Sequence, residues 1–197
     1  TIGPIAPTYA LRARMQFGAM LPSEGPDAPW AASYAGGGKE TVTFVPPTVV
    51  IPKTPSMTEM VVDGLTFRFY PGHSDSPATM NIYCVELDTL YSNHIWACYF
   101  NIYTLRGEKY RDPELMLPEL DTIRALHPEY LIPGTGPVLS GREVIDEEVT
   151  LYRDAIQFVL DQTLRFMNKG YTPDEIVKAV KVPAEMVQGR FTHAIYG

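Results

Sequence analysis

Two histidines set among polar residues are the side chains of this chain best suited to chemistry. His73 lies in the loop Pro71 to Pro77 (PGHSDSP), two positions before Asp75, and His94 lies in Ser-Asn-His-Ile. Imidazole and carboxylate are the donors that transition metals take, and a neutral imidazole also serves as a general base. Read alone, His73 is a loop histidine and His94 a buried one with its hydrogen bonds satisfied; both stay open as metal ligands. His127 and His193 read as surface residues, and no two of the four histidines fall within a few residues of each other. Arg106 could reach an anion, although an arginine beside a helix start is more often a structural ion-pair partner. Cys84 and Cys98 sit in apolar segments without metal spacing and read as buried thiols. Thr1 has an amine that could act as base for its own hydroxyl, but a chain terminus is ordinarily only a terminus.

The elements that must position these groups change character along the chain. Residues 1 to 60 are rich in Pro and Gly, with a loop from Pro22 to Gly38, a possible short helix over Ala10 to Met20, and short strands at Thr41 to Val45 and Val49 to Ile51. From Thr58 to Tyr70 the pattern predicts two strands about an Asp63-Gly64 turn. Met80 to Val85 and Thr89 to Ser92 predict a second pair, so that the His73 loop joins two hairpins. Asp112-Pro113 predicts a helix of about 14 residues, with Pro118 bending it or delaying its start. Tyr130 to Gly134 reads as a short buried strand that ends in the loop Pro133 to Pro137, which holds Thr135. Arg142 to Met167 keeps a 3.6-residue apolar period up to Gly170. Thr172-Pro173 caps a further helix, and Val182-Pro183 opens a third. The order of strand, glycine-rich loop and helix predicts an α/β fold.

Composition narrows the function. The 197 residues are 45% hydrophobic, which suffices for a core, and a net charge of −7 without a run of basic residues argues against a nucleic-acid groove. No apolar stretch reaches the roughly 18 to 20 residues of a membrane span, and the N-terminus has no signal-peptide pattern. A soluble protein, cytoplasmic by default, is the expectation. A start at Thr1 without methionine suits a processed product or one piece of a longer polypeptide.

Several segments, in order, resemble the alkyl sulfatases, a branch of the metallo-β-lactamase superfamily that hydrolyses sulfate esters with two zinc ions. The most specific are Asn101 to Gly107 (NIYTLRG) with Arg111-Asp112, and Asp161 to Arg165 (DQTLR) with Asn168 to Ile176 (NKGYTPDEI). Pro71-Gly72, Pro77 to Met80, Arg14 to Leu21 and Tyr196-Gly197 also fit. The resemblance implies an α/β fold: half of a metallo-β-lactamase-like αββα sandwich over residues 1–141, then an all-helical dimerisation region over 142–197. The His-x-His-x-Asp-His motif that supplies most of that family's metal ligands is absent, so a second polypeptide would carry the N-terminal half.

The resemblance also assigns roles, with departures. Where the sulfatases carry a glutamate after the loop glycine, the match falls on Asp75, while the wider superfamily's Gly-His-Thr motif would choose His73. The bridging acidic ligand falls on His94, since Asp88 is too early, and an imidazole bridges two ions only as imidazolate. Thr135 stands where a final histidine is expected, as a substrate- or anion-contacting residue alongside Arg106. Phe100 replaces a sulfate-contacting histidine, and Phe17 or Met15 a tyrosine. The resemblance therefore implies metal-assisted hydrolysis of a small-molecule ester, with one or two zinc ions on His73, Asp75 and His94 and the remaining ligands supplied by a partner in a homo- or hetero-oligomer. The alternative is a remodelled fold, non-catalytic or metal-independent, that acts as a partner subunit.

Overall fold

The computed structural model describes residues 22, 24–26, 47–53, 56–74, 79–96 and 111–192. The chain divides into two compact units, one of Thr1–Val50 with Tyr103–Tyr110 and one of Ile51–Ile102 with Arg111–Gly197. The strands and helices named below belong to the second. The expectations for Thr1, Ala10 to Met20, Thr41 to Val45, Asp75, Cys98, Phe100, Arg106 and His193 lie outside the described residues.

Six strands form one sheet in chain order: β1 (Thr58–Val62), β2 (Leu65–Gly72), β3 (Thr79–Cys84), β4 (Thr89–Ser92), β5 (Tyr130–Pro133) and β6 (Leu139–Ser140). Neighbours are antiparallel except β4 and β5, which run parallel and are separated in sequence by helix α1 (Pro113–Leu126). The Asp63-Gly64 turn has φ of 52° and 81°. Positive φ at both central residues matches the turn to the right-handed twist of its strands. Asp112 Oδ1 accepts from Glu114 N at 3.0 Å and caps α1, which begins at Pro113; Pro118 does not delay it.

Alternation gives the sheet two unlike faces. Tyr83, Leu90, Leu131 and Leu139 pack into a core under Met116, Leu117, Leu120 and Ile123 of α1 and under helix α2 (Arg142–Asn168), which contributes Ile145, Val149, Tyr152, Ala155 and Ile156. On the opposite face, Phe69, Ile82, Tyr91 and Ile132 line up across four strands. There Tyr91, Tyr130 and Ile132 remain 41%, 44% and 39% exposed. The strand at Tyr130 is thus buried on one side only, where the sequence predicted burial.

Arg142, at the start of α2, ties the layers together. Its guanidinium donates to Asp88 in the β3–β4 turn and to the carbonyl oxygen of His127, the exposed C-cap of α1. Thr172 and Glu175 cap helix α3 (Pro173–Ala179), the Glu175 carboxylate accepting from Thr172 N at 2.8 Å.

Two expected elements differ. Val49 to Ile51 forms no strand, and Val49 and Val50 are exposed. Pro47 and Pro52 flank it, and proline removes the N–H that a ladder needs. The helix expected after Val182-Pro183 is a single 3-10 turn, Ala184–Val187, with no side-chain cap. The chain then turns at Gly189, where a Cβ would come within 2.5 Å of the Leu151 side chain.

Candidate active site at one edge of the sheet

The pairing register decides which loops meet. Gly72 at the end of β2 pairs with Thr79 at the start of β3; Asn81 pairs with Ser92 at the end of β4; Ser92 pairs with Pro133 at the end of β5. The residues that follow, His73 and Ser74, Asn93 and His94, and Gly134 and Thr135, therefore gather at a single edge. Loops beyond strand ends are where function tends to sit, because the sheet fixes their bases.

These loops interlock. Ser74 Oγ donates to Asn93 O at 2.9 Å, and Trp96 Nε1 donates to the same carbonyl at 3.1 Å. Gly134 N donates to Ile95 O at 3.1 Å, and a Cβ on Gly134 would lie 2.4 Å from Asn93 Oδ1. A side chain at 134 would displace the Asn93 amide and press on the Asn93 backbone, whose Cα would lie 3.3 Å from the added Cβ. Thr135 follows on the exposed side of this contact.

His94 is 1% exposed. Its Nδ1 lies 3.1 Å from Asn81 Oδ1 and 3.5 Å from Ser92 Oγ, its Nε2 lies 3.5 Å from Thr79 Oγ1, and its N–H donates to Ser92 Oγ at 3.1 Å. Burial, with a smaller contribution from the charge of His73, pushes the imidazole pKa down to about 4. His94 is therefore neutral at neutral pH. Beside it, Asn81 is fully buried, and its Nδ2 donates to Glu119 O on α1 at 3.3 Å. The half-buried Glu119 carboxyl lies where a Cβ of Gly72 would be, and desolvation raises its pKa to about 7.

Of the residues singled out from sequence, His73, His94 and Thr135 belong to this edge, with His73 near enough to His94 to depress its pKa. Asp75 and Arg106 lie outside the described residues. Thr79, Asn81, Ser92 and Glu119 were not anticipated. An asparagine in the otherwise apolar run Met-Asn-Ile-Tyr was the available signal for Asn81, since a buried amide needs partners.

Zinc requires three or four N, O or S donors on one face. Among the described residues, no group of three or more His, Cys, Asp or Glu side chains converges on such a point. Two imidazoles, one of them already engaged through both ring nitrogens, do not fit a closed zinc site by themselves. No helix among the described residues is long and apolar enough to cross a membrane.

No family model matches the chain. It is 33% identical over 184 residues to a linear primary-alkylsulfatase of a Pseudomonas strain, covering 92% of this chain and 34% of that protein. It is 31% identical over 163 residues to an alkyl/aryl-sulfatase of Saccharomyces cerevisiae, covering 80% of this chain and 25% of that one. Among solved structures, the stereoselective inverting sec-alkylsulfatase of Pseudomonas sp. superposes with a TM-score of 0.78 at 26% identity, over 96% of this chain and 31% of that one. The chain spans between a quarter and a third of the length of these relatives. The chain is alkyl sulfatase-like, similar over nearly all its length to one segment of these proteins.

Proposed function

We propose that this chain is one part of a sulfatase-like hydrolase that cleaves a small-molecule ester, its site completed by residues from the remainder of the fold on another polypeptide or segment. The observation that carries this reading is the meeting of His73 and His94 at an edge built from four strand ends. In the completed assembly His73, Asp75 and His94 would be this chain's ligands to one or two zinc ions, with Arg106 and Thr135 as the candidate substrate- or anion-binding residues. Zinc, when bound, supplies a Lewis acid and a water of lowered pKa. The chain's own residues do the positioning: the interlocked loops fix the backbone at His73, Asn93 and Gly134, and burial keeps His94 uncharged.

Two surfaces support the need for partners. The apolar row Phe69, Ile82, Tyr91 and Ile132 is suited to packing against a second sheet, as the αββα sandwich requires, so residues 1–141 read as the C-terminal part of that domain. Beyond its buried first half, α2 presents Leu164 and Met167 at 44% and 56% exposure, with Tyr171 following, which suits 142–197 to a helical dimerisation region.

A second reading is a remodelled, non-catalytic subunit, favoured by the engagement of both His94 ring nitrogens with neutral side chains. Native mass spectrometry and elemental analysis of the undissociated protein, followed by assays on alkyl esters and sulfate esters, separate the two. A second chain together with zinc, both metal and activity falling on His94→Ala, is the expected result. Retained zinc in that variant would reject His94 as a ligand, and a metal-free, inactive assembly would favour the non-catalytic subunit.

A further inference from the structure

The Asn81 amide can be oriented from its surroundings. Its Nδ2 lies 3.3 Å from the carbonyl oxygen of Glu119, a group that only accepts, so the NH2 side must face α1. The other end, Oδ1, then faces His94 Nδ1 at 3.1 Å. An amide oxygen also only accepts. A lone pair on Nδ1 would therefore be held against a lone pair on Oδ1, inside a site where neither group can turn to water. Ser92 is the weaker neighbour: its Oγ, which accepts from the His94 backbone N–H at 3.1 Å, lies 3.5 Å from Nδ1, farther than Asn81 Oδ1. The proton of the neutral ring belongs on Nδ1.

We propose that Asn81 is a positioning residue that holds His94 in the Nδ1-protonated tautomer, leaving Nε2, the nitrogen beside Thr79, as the unprotonated one that carries the electron pair. The two ring nitrogens differ in what they can do, and the hydrogen bond on one fixes the role of the other. With this tautomer, coordination or proton acceptance by His94 occurs through Nε2. The Thr79 hydroxyl, 3.5 Å away, is the weak partner that a ligand would displace. The chain of contacts runs from the α1 backbone through Asn81 to the ring, so the helix that covers the sheet also sets the chemistry of its edge. The functional consequence rests on the reading of His94 as a site residue; the tautomer does not.

Long-range proton–nitrogen correlation spectra of the 15N-labelled, metal-free full chain at neutral pH read both ring nitrogens of His94. The expected wild-type pattern is a protonated, pyrrole-type Nδ1 and an unprotonated, pyridine-type Nε2. Asn81→Leu should shift this pattern toward the Nε2-protonated form. Asn81→Asp, which keeps an acceptor facing the ring, should preserve it, as should Ser92→Ala. A wild-type ring protonated on Nε2, or an Asn81→Leu ring unchanged from wild type, overturns the proposal. Should Asn81→Leu fail to fold, the wild type and Ser92→Ala still decide, since loss of the pattern in Ser92→Ala would assign the role to Ser92. The Nδ1-protonated tautomer in an assembly that binds no metal and cleaves no ester would leave the positioning role standing and remove the hydrolase reading.

Discussion

Gly72 leaves the space that the Glu119 carboxyl fills: a Cβ on Gly72 would lie 2.3 Å from Glu119 Cδ and 2.3 Å from Oε2. The contact is with the far end of a flexible side chain, so Gly72→Ala is expected to expel the carboxyl and leave the strand intact. Glu119 owes its raised pKa of about 7 to desolvation. Expulsion into water should return it toward the ordinary carboxylate range. A carbon-13 titration of the Glu119 carboxyl in the two proteins checks this. An unchanged midpoint near 7 in Gly72→Ala would mean that the glycine does not control the burial.

Glu119 and His94 should oppose each other in the pH dependence of stability. For Glu119 the folded pKa of about 7 exceeds the ordinary carboxylate value of 4.5, so the folded state binds the proton more tightly. Its contribution is full below about 4.5 and is lost as pH rises toward 7. For His94 the folded pKa of about 4 lies below 6.5, so its contribution is full above 6.5 and is lost as pH falls toward 4. The His94 effect reaches about 3 kcal/mol at full protonation. That of Glu119 is on the order of 1 kcal/mol after discounting for solvent screening. Denaturant melts of the metal-free chain between pH 4 and 7 should show a rise of stability with pH that is steeper in Glu119→Gln than in wild type. A shallower rise in that variant would contradict the assignment.

The Tyr83 hydroxyl donates to Asp88 Oδ1 at 2.6 Å, and Asp88 also accepts from Arg142. The tyrosine bond is the leading cause of the lowered Asp88 pKa, while burial pushes Tyr83 itself up to about 12. Tyr83→Phe should therefore raise the Asp88 pKa and cost about 1 kcal/mol of stability. Chemical denaturation gives the cost, and NMR titration of Asp88 gives the shift. A variant that loses stability while Asp88 titrates as in wild type would place the loss in ring packing.

What could be read from the chain and what could not divide along the range of the interactions. Asp63-Gly64, the Asp112-Pro113 cap and the apolar period of Arg142 to Met167 were legible because each is decided within a few residues. Val49 to Ile51 was misread because β-branched residues suggested a strand where flanking prolines withhold donors. His94 was recognisable as a buried histidine, but its partners were not. Asn81 reaches it only through the β3–β4 register, and Glu119 reaches the same edge only because α1 crosses over Gly72. No local spacing encodes either relation. The resemblance found the edge through His73, His94 and Thr135, yet passed over the amide that holds the ring.

The exposed end of α2 gives the remaining test. Leu164 and Met167 lie three residues apart on a helix, hence on neighbouring positions of one face, and they stay 44% and 56% exposed although the first half of the same helix is buried. Two exposed apolar side chains on one helix face suit a helix–helix contact. If this region dimerises, Leu164→Asp with Met167→Asp should lower the solution mass by light scattering to that of one protomer. The helical circular dichroism should be retained, because neither side chain belongs to the core around Tyr152 and Ile156. An unchanged mass in a folded double variant would move the oligomer contact away from α2, leaving the apolar sheet face of Tyr91 and Ile132 as the surface to substitute next.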